Sequence, residues 1–174
     1  MRIAISSKSG CGNTTVSTLL SEKLGYPMVN FTFRQMAQER GVDFWTFCKM
    51  AEDDYEIDKE LDRRQVEMAM EKKDCILASR LAIWMLEKAD LKVYLTATAE
   101  TRAQRVYKRE GGSIEERYKE TVRRDENDTN RYKTIYGIDN TKPEKVVDLI
   151  IATDQKTPEE IVSLIIEEVR KKTL

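Results

Sequence analysis

The sequence predicts an α/β fold in which a parallel five-stranded sheet carries helices on both faces. Short apolar runs of strand length alternate with longer helical patterns along the 174-residue chain. No internal repeat, low-complexity tract or Pro/Gly-rich linker interrupts this alternation, and the length suits a single domain. Strands and helices that alternate at this pitch indicate parallel strands joined by crossover helices.

Five apolar runs are the candidate strands. They are Arg2–Ser6, a run just before Arg34, Cys75–Ala78, Val93–Thr96 and Asp148–Ala152. The first strand enters a glycine-containing turn and then a helix over Asn13–Leu24, which Gly25 ends. Capping boxes at Ser113–Glu116 and Thr157–Glu160 begin two later helices, and the second has Pro at its first helical position.

Two stretches do not fit the alternation. Residues 33–72 and 102–136 are helical in pattern almost throughout, so we expect helical insertions that reach over the edge of the sheet. The predicted core therefore comprises residues 1–32, 73–100 and 145–174, interrupted by insertions at 33–72 and 101–144.

Composition excludes several classes of function. The chain has 30 Lys and Arg against 31 Asp and Glu, a net charge of −1, which disfavours bulk nucleic-acid binding. No apolar run reaches the ~18 residues of a membrane span, and no signal pattern opens the chain, so a cytoplasmic protein is expected. Three scattered cysteines predict neither a disulfide framework nor a zinc site. The absence of histidine removes Ser-His-Asp hydrolysis but leaves phosphoryl transfer available.

A candidate phosphate-binding loop follows the first strand. Its residues are Ser7, Lys8, Ser9, Gly10, Cys11, Gly12, Asn13, Thr14 and Thr15. The glycines let backbone N–H groups turn inward, and the helix that begins at Asn13 adds its N-terminal N–H groups. Thr14 occupies the Mg²⁺-binding position of the G-x-x-x-x-G-K-[ST] pattern, but Ser7 and Asn13 replace its first Gly and its Lys. An ordinary strand-to-helix turn is the alternative, and either Lys8 or an arginine from 101–144 could replace the missing lysine.

Charged side chains are predicted at the same edge of the sheet. Arg34 and Arg80 each follow a strand, where side chains of an α/β sheet face the ligand crevice, and a guanidinium suits a phosphate dianion. Arg124, Asp128 and Arg131 are spaced i, i+4 and i+7, so one helix face presents a donor, an acceptor and a donor. Such a row could bind phosphates and accept a hydrogen bond from an amino group.

These motifs make the chain similar to the cytidylate kinases, most closely to their archaeal-type branch. The resemblance covers nearly the whole chain. It lies in the segments 7–15, 33–37, 56–65, 80–85, 105–111 and 131–139, together with the Arg124-Asp125-x-x-Asp128-x-x-Arg131 pattern. Three departures are Ser7 for the branch's usual Gly, Asn13 where Thr is common, and Ala78-Ser79 where Glu-Gly is common.

The resemblance implies a P-loop nucleoside monophosphate kinase that phosphorylates CMP and dCMP with ATP and Mg²⁺, as a monomer. It implies that residues 33–72 bind the acceptor and that 101–144 form a lid. Residues 7–15 would bind ATP, with Mg²⁺ on Thr14. The acceptor-binding residues would be Arg34, Arg80, Arg124 and Asp128. Arg131 would contact the transferred phosphate. Apart from the resemblance, we predict catalytic roles for a neighbouring lid arginine such as Arg105, and for Lys8 if it replaces the missing lysine.

Two other functions stay open at this point. One is an ATP-binding regulatory protein without transferase activity, which the Asn13 and Ala78 departures favour. The other is a kinase of the same fold that acts on UMP or another small acceptor.

Overall fold

The computed structural model describes residues 1–173, which form five strands and eight α-helices. In chain order these are β1 (Arg2–Ser7), α1 (Asn13–Leu24), β2 (Met28–Val29), α2 (Phe33–Glu39), α3 (Phe44–Asp53), α4 (Tyr55–Met70), β3 (Cys75–Ala78), α5 (Ala82–Met85), β4 (Leu91–Thr96), α6 (Ala99–Glu110), α7 (Ile114–Tyr136), β5 (Leu149–Ala152) and α8 (Pro158–Thr173). A short 3-10 turn, Pro143–Lys145, precedes β5.

The predicted parallel sheet is confirmed. Its strand order is β2-β3-β1-β4-β5, and every neighbouring pair is parallel. Ile3 of β1 lies opposite Ile76 of β3 and Leu91 of β4, so the central strand is apolar on both sides. Because all five strands run the same way, their carboxyl ends meet at one edge, where ligands of such sheets bind.

Two apolar layers cover the sheet. On one face α1 and α8 pack against the strands through residues such as Val16, Leu20 and Ile165. On the other face α4 and α5 contribute Ala69 and Ile83. Burial on both faces explains why β1 and β3 read as largely continuous apolar runs, whereas the edge strand β5 leaves Ile150 exposed.

The two stretches that break the strand–helix alternation are helical, as expected. Residues 33–72 contain α2, α3 and α4, which share a small core of their own around Phe47, Met36 and Ile57. The second stretch is divided into α6 and α7 by Gly111 and Gly112, both at positive φ. Thr121 is the buried residue of α7, so this 23-residue helix is held mainly by polar contacts.

The predicted helix starts are also confirmed. The side-chain hydroxyls of Ser113 and Thr157 each accept from the backbone N–H three residues later. The carboxylates of Glu116 and Glu160 in turn accept from the backbone N–H groups of Ser113 and Thr157. None of the helices described over residues 1–173 is both long and apolar enough to cross a membrane.

Candidate active site

The phosphate loop joins β1 to α1 and forms the wall of a cavity of about 310 Å³, here called the loop cavity. Gly12 precedes the helix in the left-handed region, with φ 89° and no side-chain cap, so the first N–H groups of α1 stay open. Gly10 also has positive φ, and a Cβ on it would lie 2.9 Å from the Cβ of Arg102. The loop therefore requires glycine at both positions, one for its turn and one for close packing.

Two loop residues are engaged within the protein, although Asn13 also lines the loop cavity. Cys11 is buried in the core beneath the loop, and burial raises the pKa of its thiol to about 11. The Asn13 side chain accepts from Ser17 Oγ at 3.0 Å and donates to the carbonyl of Ile5 at 3.5 Å. The Asn13 side chain is thus hydrogen-bonded within the protein, and another residue must supply the positive charge that the usual lysine would provide.

Three cationic residues line the loop cavity: Lys8, Arg80 and Arg109. Lys8 Nζ lies 3.3 Å from Asp125, which turns this ammonium toward α7. Arg109 belongs to α6, is largely exposed and pairs with its neighbour Glu110. Because only exposed contacts hold it, Arg109 can turn toward a bound anion at small cost.

Arg105 occupies a different position from the one implied for it. Its guanidinium donates to Thr153 Oγ1 at 2.9 Å, to the Thr153 carbonyl at 2.7 Å and to the Gly10 carbonyl at 3.3 Å. It lines a second, more apolar cavity of about 400 Å³ between the loop and α8, here called the rear cavity. Arg105 therefore joins the phosphate loop to the segment that precedes α8.

A third cavity, of about 320 Å³, lies between the 33–72 insertion and α7 and is here called the insertion cavity. Its polar lining comprises Asp58, Asp62, Gln65, Ser79, Arg80, Asp128, Arg131 and Tyr132. Ser79 and Arg80 line the loop cavity as well. Arg80 therefore stands where the two cavities meet.

The arginines of the insertion cavity are paired with carboxylates. Arg80 donates to Asp128, and Arg131 donates to Asp58 and to the Ala51 carbonyl, the last at 2.7 Å. Burial raises the pKa of Asp128, although Arg80 acts in the opposite direction. In both pairs a carboxylate accepts the hydrogen bonds that the arginine could otherwise donate to an anionic ligand.

The remaining two predicted arginines differ in their surroundings. Arg124 makes no ion pair within residues 1–173, and its pKa is lowered by loss of hydration and by the nearby Arg80 charge. Arg34 stacks on the ring of Phe44, 4.3 Å from its centroid, and is absent from the described lining of the insertion cavity. The structure thus brings Arg80, Asp128 and Arg131 into the lining of the insertion cavity and places Arg124 near Arg80, whereas Arg34 is not part of that lining.

Arg102 and Asp125, for which the sequence predicts no role, connect the phosphate loop to α7. Arg102 is 4% exposed, donates to both oxygens of Asp125 at 3.0 and 2.7 Å, and donates to the Ser9 carbonyl at 3.2 Å. A signal was present, since Arg102, Arg105 and Arg109 recur at i, i+3 and i+7 and so share one face of α6. Asp125 falls within the Arg124-Asp125-x-x-Asp128-x-x-Arg131 pattern, but its pairing with Arg102 depends on how α6 packs against α7.

A phosphate loop on the first strand of a five-stranded parallel sheet, faced by two helical insertions that bring arginines to the site, defines the class as that of the P-loop kinases. Over residues 2–155 the sequence matches the cytidylate kinase-like family, and the chain belongs to that family. It is 45% identical to "Cytidylate kinase 2" of Borreliella afzelii, over 87% of this chain and 86% of that protein. It is 43% identical to "Cytidylate kinase" of Pyrococcus abyssi, over 88% of this chain and 84% of that protein.

Solved structures agree on the fold. Shikimate kinase from Acinetobacter baumannii superimposes with a TM-score of 0.64 at 18% identity, covering 99% of this chain and 94% of that one. At this identity the likeness concerns the arrangement of strands and helices.

Proposed function

We propose that this protein transfers the terminal phosphoryl group of ATP to CMP, and also to dCMP. The observation that carries the proposal is the position of Arg80 at the junction of the loop and insertion cavities. A kinase must bring a donor phosphate and an acceptor phosphate together at such a point, with cations between them. The relatives named above as cytidylate kinases support CMP as the acceptor.

On the donor side, we assign the phosphates of ATP to the phosphate loop. Its residues Ser7, Lys8, Ser9, Gly10, Gly12, Asn13, Thr14 and Thr15 line the loop cavity. The open N–H groups of α1 and its positive dipole end favour anions there. The rear cavity, with Arg105, Lys156 and Pro158 in its wall, is the more apolar space beside the loop and suits the adenosine part.

Mg²⁺ fits the donor set at Thr14. No group of three metal-ligating side chains occurs within residues 1–173, so the chain offers no closed cage. Mg²⁺ commonly needs none, because it keeps several waters and binds through substrate phosphates with one or two protein oxygens. The Thr14 hydroxyl would supply such an oxygen, and the bound ion would neutralise charge on the β- and γ-phosphates.

On the acceptor side, Arg80 and Arg131 would exchange their carboxylate partners for phosphate oxygens. Both guanidiniums already line the cavity, so the exchange needs side-chain rotations and a small movement of α7. The acceptor phosphate is anionic at neutral pH and needs no general base, in agreement with a chain without histidine. Movement of the lid would also exclude water, which slows hydrolysis of ATP without an acceptor.

The alternative of an ATP-binding protein without transfer keeps one supporting observation, the inward-turned Asn13. The insertion cavity weighs against it, because a regulatory protein has no evident use for a second site lined by arginines. Monomeric state and cytoplasmic location stay predictions from the sequence.

The test is a panel of acceptors with ATP and Mg²⁺, followed by ADP release. We expect CMP and dCMP to exceed UMP, AMP and GMP in kcat/KM, and ADP release without acceptor to be slow. Arg80→Ala should raise the KM for CMP about ten- to a hundredfold, the effect of losing one charged hydrogen bond, while ATP binding stays near normal. The matched control is Arg123→Ala, which removes an exposed arginine from α7.

Faster transfer to AMP or GMP would contradict the acceptor assignment. Absence of transfer to every nucleotide, with ATP still bound in calorimetry, would favour the regulatory alternative. Unchanged CMP binding in Arg80→Ala would remove Arg80 from the acceptor site.

A further inference from the structure

Among residues 1–173, two side-chain oxygens without hydrogen-bond partners belong to one face of α4 in the lining of the insertion cavity. Asp62 and Gln65 are three residues apart on α4 and therefore share one face of the helix. One Asp62 oxygen accepts from the Tyr136 hydroxyl at 2.5 Å, and its other oxygen has no partner among residues 1–173. The Gln65 amide nitrogen donates to the Phe31 carbonyl at 2.8 Å, which directs its free oxygen away from that contact.

Asp62 differs from the other acids of this cavity. Asp58 is paired with Arg131, and Asp128 is paired with Arg80. Within the described chain, Asp62 has no cationic partner of its own. A carboxylate that is not needed to hold an arginine is available to a neutral donor on a ligand.

The bases of CMP and UMP differ in the group on one ring carbon. Cytosine carries an amino group with two N–H donors, whereas uracil carries a carbonyl oxygen at the same carbon. Two acceptors on one helix face match the amino group and would oppose the carbonyl, leaving buried polar groups unpaired.

We propose that Asp62, assisted by Gln65, accepts from the exocyclic amino group of the acceptor base and so selects cytosine over uracil. This inference rests on the proposed function and refines it. It also assigns to Asp62 the hydrogen bond that the sequence pattern gives to Asp128, because Asp128 has the charges of both Arg80 and Arg124 nearby and keeps a cationic neighbour when Arg80 turns to the phosphate.

The selection should depend on pH. Burial, with a smaller contribution from Asp58, raises the pKa of Asp62 to about 6, and the Tyr136 hydroxyl opposes this rise. The other charged or titratable groups that line the cavity with Asp62 are Arg80 after β3, and Asp128, Arg131 and Tyr132 on α7. Above about pH 6 the carboxylate accepts from cytosine. Below it, the protonated acid can donate to the uracil carbonyl, so the preference for CMP should fall.

The measurement is the ratio of kcat/KM for CMP to that for UMP between pH 5.5 and pH 8. Because both acceptors carry the same phosphate, its titration cancels in the ratio. We expect Asp62→Asn to lower the ratio at pH 8 by about ten- to a hundredfold and to remove its pH dependence. Glu67→Gln is the matched control, since it makes the same chemical change at an exposed position of α4.

Tyr136→Phe gives a second readout that does not require loss of the carboxylate. Removing the hydroxyl withdraws a donor from the charged form of Asp62, so the pKa rises and the midpoint of the selectivity profile moves to higher pH. If Asp62→Asn fails to fold, this shift and the profile of the unmutated protein decide the question.

A ratio that is flat with pH in the unmutated protein and unmoved in Tyr136→Phe would overturn the inference. So would an unchanged ratio in a folded Asp62→Asn protein. In either case continued transfer to CMP would leave the proposed function intact, whereas failure of the unmutated protein to use CMP would remove the proposed function itself.

Discussion

The donor and acceptor ends of the site are organised in different ways. At the phosphate loop the ligand-facing groups are mainly backbone N–H groups, fixed by Gly10, Gly12 and the start of α1. At the insertion cavity they are side chains, and the arginines are held by carboxylates, as in the Arg80–Asp128 and Arg131–Asp58 pairs. The phosphate loop is preorganised for an anion, whereas the arginines of the insertion cavity must leave their carboxylates before they can bind one.

This difference assigns different work to the two substrates. Binding at the loop requires little rearrangement, because its N–H groups have no competing partner. Binding at the insertion cavity breaks ion pairs, and the released carboxylates must find other donors or water. On the proposed assignment, part of the free energy of acceptor binding would go into breaking these pairs, and acceptor arrival would be coupled to movement of α7.

Asp125 connects the two ends. It lies on α7, binds the buried Arg102 through both oxygens and approaches Lys8 of the loop. Arg102 in turn donates to the Ser9 carbonyl. Asp125 and Arg102 therefore connect α7 to the phosphate loop through two side chains.

The largest expected effect is that of Arg131→Ala at the acceptor end. We propose that Arg131 contacts charge that develops during transfer, and loss of one such donor typically costs about 10²–10³ in rate. Both kcat and kcat/KM for CMP should fall together. Lys133→Ala, which removes an exposed cation two residues further along α7, is the control and should leave both constants near normal. A change confined to KM would show that Arg131 serves binding alone.

Next in size is the cost of keeping Asp62 ionised in the insertion cavity. Its pKa is raised from 3.8 to about 6, so the folded protein binds the proton more tightly than the unfolded chain. Stability is then lost as pH rises through this window, by roughly 2–3 kcal/mol at about 1.4 kcal/mol per pKa unit. Asp62→Asn keeps an acceptor for Tyr136 but carries no charge, so it should be more stable than the unmutated protein at pH 8 and equal to it near pH 4.

Urea unfolding at the two pH values measures this difference, with Glu67→Gln as the control. Equal stability of Asp62→Asn and the unmutated protein at pH 8 would show that the carboxylate is well solvated. A carboxylate that lowers the stability of the folded protein is typical of a functional site.

The sequence predicts the fold and the loop better than it predicts the acceptor end. The apolar runs, Gly25 and the capping boxes at Ser113 and Thr157 act locally, and local signals are readable along the chain. The Arg124, Asp128 and Arg131 face was readable for the same reason. The roles of Arg102, Asp125 and Asp62 depend on which helices pack together, so these roles cannot be read from any one segment of the sequence. Arg105 was predicted near the transferred phosphate from its lid position alone, whereas Thr153, 48 residues away, holds its guanidinium.

The smallest expected effect concerns the cation that replaces the missing loop lysine. Lys8 is held 3.3 Å from Asp125, and turning it toward the phosphates would sacrifice that contact and side-chain entropy. Arg109 lines the same cavity from α6 and is restrained only by an exposed pair with Glu110. We therefore expect Lys8→Ala to lower the single-turnover rate by less than about fivefold, the scale of an exposed ion pair, and Arg109→Ala to lower it more. Lys108→Ala, at an exposed position of the same helix, controls for loss of charge. A hundredfold loss of single-turnover rate in Lys8→Ala would show that Lys8, and not Arg109, replaces the missing lysine. The phosphate loop would then depend, like the insertion cavity, on a side chain that leaves a carboxylate partner.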